Sequence, residues 1–219
     1  MLLAGCAKPP RIGHYLDSPQ SLWRIRRVVF VELSAPDGYP RVAEETTDAL
    51  FRALQEKQLF HLDVIDRTDP ACQDLPLESR QAFTLAQLSA MRKSLGCDAI
   101  LFGSVTGFQA YPRMRLGLYV RLLDLKDGKL VWAVDHHWDT TDKATERRIR
   151  RHFTSEMRSG YNPVRWRLGL LSPKLFQNFV ADEVADTLPE RPPPGQPVTP
   201  RRPRRRLSLG QEPTNISKS

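Results

Sequence analysis

The sequence predicts an α/β chain of the α+β sandwich kind, with a mixed sheet of about four to five strands packed against two to three helices. Three observations point there. Apolar, β-branched runs alternate with segments of helical period, in the order β-α-β-α-β, through the first half of the chain. Two strand-like runs joined at Lys126-Asp127-Gly128 form a β-hairpin toward the C-terminal side. Beyond it, residues 172–188 carry a strong apolar helical face. With 219 residues, 40% of them hydrophobic, the chain can bury one good-sized core or two small ones.

Taken in order, residues 7–26 read as a polar, Pro-containing lead. Arg27 to Leu33 is a near-continuous apolar run closed by Ser34-Ala35-Pro36-Asp37-Gly38, which predicts a buried strand and a loop. From Arg41 the period changes. Val42, Thr46, Ala49, Leu50, Ala53 and Leu54 share one helical face, opposite Glu44, Glu45, Asp48, Arg52 and Glu56. Phe60–Asp66 is a second strand, followed by a Pro/Asp-rich loop to about Ser79. Leu85, Leu88, Met91 and Leu95 then stand in helical register, and Gly96 occupies the position just past the helix where a left-handed residue belongs. Cys97–Phe108 is a third apolar strand.

The hairpin register follows from burial. A two-residue loop would pair Val120 with Asp135 and Arg121 with Val134, mixing charged and apolar groups on both faces. A three-residue loop, with Gly128 left-handed in a G1 bulge, shifts the pairing by one. Leu116 then faces Trp138, Leu118 faces His136, Val120 faces Val134 and Leu122 faces Trp132, while Tyr119, Arg121 and Asp135 lie on the other face. One face becomes an apolar stripe, so this register is expected.

Lys143–Arg158 reads as a basic helix (Arg147, Arg148, Arg150, Arg151) with only Ile149, Phe153 and Met157 to bury. A loop holding Tyr161, Pro163 and Trp166 leads to the last helix, where Ser172 is the N-cap and Pro173 the first residue. Its face is Leu175, Phe176, Phe179, Val180, Val184 and Leu188. From Pro189 the prolines and arginines predict a disordered tail. Three units are therefore expected: 1–26, 27–188 and 189–219. The formal charge is +8, most of it in the tail, where seven Lys/Arg face two acids.

Leu3-Ala4-Gly5-Cys6 resembles a bacterial lipobox, the site at which type II signal peptidase cuts and the cysteine is lipidated. The resemblance implies a membrane anchor at Cys6 and a chain facing the periplasm from the outer membrane. A secretory signal has an apolar region of roughly 7–15 residues before the cut. Only Met1, Leu2 and Leu3 precede Ala4, so the expectation is the stub of a longer signal with an upstream start.

Further along, Gly96-Cys97-Asp98-Ala99-Ile100-Leu101-Phe102-Gly103-Ser104-Val105 resembles a strand motif of a group of envelope lipoproteins. Leu122-Leu123-Asp124-Leu125-Lys126-Asp127-Gly128-Lys129-Leu130-Val131-Trp132 is similar to that group's hairpin. The group includes the curli secretion-channel lipoprotein, the lipoprotein activators of penicillin-binding proteins and the N-terminal domain of the Tol-system β-propeller protein. The resemblance covers roughly 27–188 and implies an αβ sandwich with no catalytic residues. Its motif residues are structural: Gly103 permits close packing, Asp127-Gly128 turns, and Trp132 fills the core. The channel's long inserted hairpins are absent from the sequence, so a pore is not expected.

No HExxH, CxxC pair, GxSxG or phosphate-cradling glycine loop occurs. In Asp135-His136-His137-Trp138-Asp139 the consecutive histidines point to opposite faces of a strand, so no metal site is expected. Neither a catalytic site nor a cofactor is expected. Cys72 and Cys97 either pair in an oxidising compartment or sit unpaired as small apolar side chains, and both readings stay open. The arginines Arg201, Arg202, Arg204, Arg205 and Arg206 form a candidate polyanion-binding run. The expected function is that of a non-enzymatic envelope lipoprotein binding an unidentified protein partner, with the Arg-rich tail available to an anionic surface. The alternative is a soluble module that binds nucleic acid or another polyanion through the basic helix and tail. A hydrolase would need a cleft with converging polar groups that the sequence does not disclose.

Overall fold

The computed structural model describes residues 12–36, 38–73, 83–155, 167 and 170–191. In chain order it contains β1 (His14–Leu16), α1 (Pro19–Arg24), β2 (Arg27–Val31), α2 (Pro40–Glu56), β3 (His61–Ile65), α3 (Pro70–Gln73), α4 (Leu85–Leu95), β4 (Ala99–Gln109), β5 (Arg115–Asp124), β6 (Leu130–Asp139), α5 (Lys143–Ser155) and α6 (Pro173–Ala185). The strands form one mixed sheet in the order β1-β6-β5-β4-β2-β3. β2 runs parallel to β3 and β4, and the remaining neighbours are antiparallel. The expected fold class is present, with one strand more than the upper estimate.

That extra strand comes from the lead. Ile12 is buried in the core, β1 pairs with β6, and α1 buries Leu22. Residues 12–26 therefore belong to the domain and are not tether. Ser18 caps α1 by accepting from the Ser21 N–H at 3.1 Å, and Pro19 occupies its first turn. One buried leucine in a six-residue helix leaves too little periodicity to read.

The longer helices begin and end as their sequences dictate. In α4, Thr84 accepts from the Gln87 N–H while the Gln87 side chain accepts from the Thr84 N–H, a complete capping box. Gly96 follows in the left-handed region, at φ 59°. Ser172 and Pro173 open α6 as expected. Leu85, expected on the buried face of α4, is instead 75% exposed, because it stands in the first turn, beyond the layer that Leu88 and Met91 reach.

The hairpin pairs Leu116 with Trp138, Leu118 with His136, Val120 with Val134 and Leu122 with Trp132, as burial requires. It reaches that register differently. The Asp124 carbonyl accepts from the Gly128 N–H (2.9 Å), and the Asp124 N–H donates to the Lys129 carbonyl (3.0 Å). Gly128 is left-handed at φ 71°, but Leu123 pairs with Leu130, and the extra residue is taken up at Val131. The bulge thus lies inside β6, where Val131 turns its carbonyl to the Asp17 N–H at 2.9 Å.

The sheet separates two apolar layers. On one face Phe30, Leu101, Val120, Trp132 and Trp138 pack with Leu50 and Leu54 of α2, Phe176 and Val180 of α6, Ile149 of α5 and Leu22 of α1. On the other, Val29, Val31, Ile100 and Phe102 meet Leu88 and Met91 of α4 together with Cys72 and Cys97. More helices cover the sheet than the two to three expected. β4 and β5 approach so closely at Gly103 that a Cβ there would lie 2.0 Å from the Tyr119 carbonyl oxygen.

Candidate interaction surface

The residues singled out for binding fall on both sides of the described boundary. Cys6, Arg201, Arg202, Arg204, Arg205 and Arg206 lie outside the described residues, as do Tyr161, Pro163 and Trp166. Cys72 and Cys97 are both free and buried. Burial pushes both thiols above their ordinary value, with a nearby aspartate adding to the effect, so neither is poised as a nucleophile. The aspartates of the two family-like motifs serve the backbone. Asp98 accepts from the N–H groups of Arg26 and Arg27, each at 3.1 Å, which fixes the start of β2. Asp124 accepts from the Lys126 N–H at 2.8 Å within the hairpin turn.

β3 forms one border of the sheet, and no described residue pairs with its outer side. The bonds Glu32 N–H to Ile65 carbonyl and His61 N–H to Arg26 carbonyl face β2. Strand alternation therefore turns the peptide groups of Leu62 and Val64 outward. Val64 is 42% exposed. Beside it Asp63 accepts from Arg27 Nε at 3.2 Å and pairs with His61 Nε2 at 3.1 Å. A charged group on a border strand limits indiscriminate pairing while leaving the backbone available to a matched partner.

Among the described residues, the sheet face that carries α4 is unevenly covered. α4 lies over the parallel half and the hairpin turn, where a Cβ on Gly128 would come within 2.8 Å of Leu88 Cδ1. Toward β1 the same face presents Tyr15, Ala133, Asp135 and His137, with Tyr15 48% exposed. Between the two regions the Arg121 guanidinium stacks over the Phe102 ring (4.7 Å) and the Tyr119 ring (5.1 Å). The surface is amphipathic.

Titratable groups converge where α5 meets α6 and β6. Glu183 accepts from Trp138 Nε1 (2.8 Å) and pairs with Arg148 Nε (2.9 Å). Burial raises the Glu183 carboxyl above its usual value, opposed by the Trp138 bond and by Arg148. His136 meets the Trp138 ring edge-on at 4.7 Å. Burial, followed by Arg148 and His137, pushes its imidazole below its ordinary value. His152 Nε2 lies 3.4 Å from Asp182 Oδ2. Glu183 thus bonds both Arg148 and Trp138, and Arg148 Nη2 also donates to Thr145 Oγ1 at 3.3 Å, which makes the cluster a clamp for α5. Arg148 is consequently not part of a freely presented basic face, whereas Arg147 and Arg151 are exposed. Among the described residues no three His, Cys, Asp or Glu side chains stand where they could hold a metal ion.

Trp23, Arg26 and Gln58 were not singled out by the sequence, yet they line a common cavity beside the end of α2. Gln58 is the one non-glycine among the described residues with a left-handed backbone, at φ 50°. The available signal was the stop of a long helix at Lys57-Gln58 without the usual glycine or asparagine.

Neither a protein-family model nor any curated protein sequence matches the chain. Solved structures do. The PelC dodecamer from Paraburkholderia phytofirmans is similar over 83% of this chain and 98% of its own, with 12% identity and a TM-score of 0.51. Lipoprotein GNA1162 from Neisseria meningitidis matches 62% of this chain and 99% of its own at 14% identity and a TM-score of 0.36. The LpoB C-terminal domain from Salmonella enterica matches 55% of this chain and 95% of its own at 18% identity and a TM-score of 0.35. What the likeness establishes is a fold: the chain is an αβ sandwich of the architecture seen in PelC.

Proposed function

We propose that this chain is a lipid-anchored, non-enzymatic component of a bacterial cell envelope, which binds a protein partner in an assembly, secretion or regulatory role. The observation that carries this reading is the placement of Cys6. The lipobox-like cysteine stands six residues ahead of Ile12, which is buried in the core. Six residues span at most about 20 Å, so an acyl anchor at Cys6 would hold the domain close to the membrane surface. Among the described residues no helix is long and apolar enough to cross a membrane, so attachment in this reading falls to the lipid. Three acyl chains give a stable anchor where a single chain does not.

The β3 border and the amphipathic face around Tyr15 and Tyr119 are the surfaces offered to a protein partner. PelC, which shares the fold, is a dodecamer, so contact with further copies of this chain is one form of the proposed binding. The run Arg201, Arg202, Arg204, Arg205 and Arg206 would add contact with anionic headgroups or envelope polyanions. The test is metabolic labelling. Wild-type protein should incorporate radiolabelled palmitate, and Cys6→Ala should abolish it. Unlabelled wild-type protein in the soluble fraction would sink the proposal.

A further inference from the structure

At one end of the sheet β2, β4 and β6 finish and β5 begins, as the pairing directions require. The N-terminal side of the chain approaches from this same end. His14 faces Val134, and a Cβ on Gly13 would lie 3.6 Å from the Asp135 carbonyl oxygen. Going back from β1, the chain therefore advances along β6 toward Asp139, with Cys6 six residues before Ile12 on that path. Three helices begin at this end too. α5 starts at Lys143, just past β6, and α2 follows β2. α6 runs parallel to α2, since Gln177 Nε2 donates to Thr46 Oγ1 at 3.4 Å and Lys57 Nζ to Asp186 Oδ1 at 2.6 Å.

Of the large apolar side chains exposed among the described residues, three gather here. Tyr111, in the loop between β4 and β5, is 86% exposed, and Leu171, just before α6, is 74% exposed. Tyr39 is the third, and its ring meets Phe108 edge-on at 5.6 Å, which places it on the β4 side. Arg113 and Lys143 are exposed beside them. Two nearby acids are engaged: Asp139 with Arg115 at 2.7 Å, and Asp142 with the Ala144 and Thr145 N–H groups. Glu32, Glu44, Asp48 and Asp66 lie near one another at the β2–β3 corner, so the β4–β5–β6 side stays aromatic and basic.

That combination selects a partner. Tyrosine suits the boundary between membrane and water, and exposed cations are drawn to anionic headgroups. A soluble polyanion would engage the cations but gain nothing from Tyr111 and Leu171. We propose that the end of the sheet bearing Tyr39, Tyr111, Arg113, Lys143 and Leu171 docks on an anionic phospholipid bilayer. The choice of partner rests on the lipid-anchor reading, in which the approach from Cys6 brings this end to the membrane. The β3 border and the face around Tyr15 flank the docked end and stay open to a protein.

The test uses the full-length Cys6→Ser chain, which carries no acyl group, so its outcome is separate from that of palmitate labelling. Binding is measured by co-sedimentation with vesicles of phosphatidylethanolamine and phosphatidylglycerol. Tyr111→Ser/Leu171→Ser, at two mostly exposed positions, should weaken binding about tenfold with Tm unchanged. Arg113→Ser/Lys143→Ser should weaken it several-fold. Lys126→Ser/Lys129→Ser removes the same charge from the hairpin turn at the opposite end, and should change binding by less than about twofold. No binding to these vesicles, full binding by Tyr111→Ser/Leu171→Ser, or equal losses in the two charge variants would each overturn the proposal. So would a changed oligomeric state in Tyr111→Ser/Leu171→Ser with vesicle binding retained, which would assign this end to a second copy of the chain. Wild-type protein that takes up palmitate while Cys6→Ser fails on vesicles would keep the anchor and lose the docking face.

Discussion

At Gly103 the backbone of β4 passes so close to β5 that a side chain has nowhere to go. An added Cβ would meet the Tyr119 carbonyl oxygen at 2.0 Å and Val120 Cα at 2.8 Å. Both are backbone atoms in the middle of the sheet, so relief requires the strands themselves to part. Gly103→Ala should therefore cost about 2–3 kcal/mol in urea unfolding, toward the upper end for overpacking. A loss below about 0.5 kcal/mol would show that the strands can separate cheaply. The importance of Gly103 was legible in the strand motif, as was that of Trp132, which is 1% exposed and donates from Nε1 to Thr187 Oγ1 at 2.8 Å. Leu85 was misread because register alone does not say how far a neighbouring layer extends. Gln58 left only the signal of a long helix stopping without glycine or asparagine, since its left-handed backbone is a property of where α2 ends against β3.

Among the elements, α5 is held by polar ties to α6 as well as by apolar area. Its buried anchors in the described residues are Ile149 and Phe153, and Arg148 fastens it to Glu183 of α6 with both side chains largely enclosed. Removing one member of such a pair strands the other charge, so Arg148→Ala should destabilise by about 3 kcal/mol near neutral pH. The sign of the pH dependence follows from Glu183. Burial holds its carboxyl above the unfolded value of 4.5. Its stabilising contribution is therefore complete below that value and is lost as pH rises through the folded pKa. Loss of Arg148 deepens that slope, so the penalty should be larger at about pH 7.5 than at about pH 5 in parallel urea titrations. An equal penalty at both would show that Glu183 is solvated. The composition of α5 announced a basic helix, but only the fold shows that Arg148 faces inward. The hairpin was legible in register and not in mechanism, because bulges at Gly128 and at Val131 yield the same pairing for Leu122 and beyond. β1 and α1 escaped because three strand residues and one buried leucine carry no period.

At the scale of the molecule, one sheet carries an apolar layer on each side, the larger of them, among the described residues, under α2 and α6. The strand-helix alternation made this architecture legible in advance, and the structure shares it with PelC. The surfaces were less legible. An outward-facing border at β3, the exposed Tyr15 and the cavity at Trp23 each assemble residues distant in sequence, so no local pattern marks them. The arginine run and the lipobox-like segment are the reverse case, patterns plain in sequence that lie outside the described residues. They make attachment the central question of function, and the mass of the N-terminal peptide of protein isolated from its native membrane answers it most directly. A peptide beginning at Cys6 and carrying the mass of acyl chains on that residue is the predicted result. An unmodified Cys6 within a peptide continuing through Leu3-Ala4-Gly5 would contradict the lipoprotein reading.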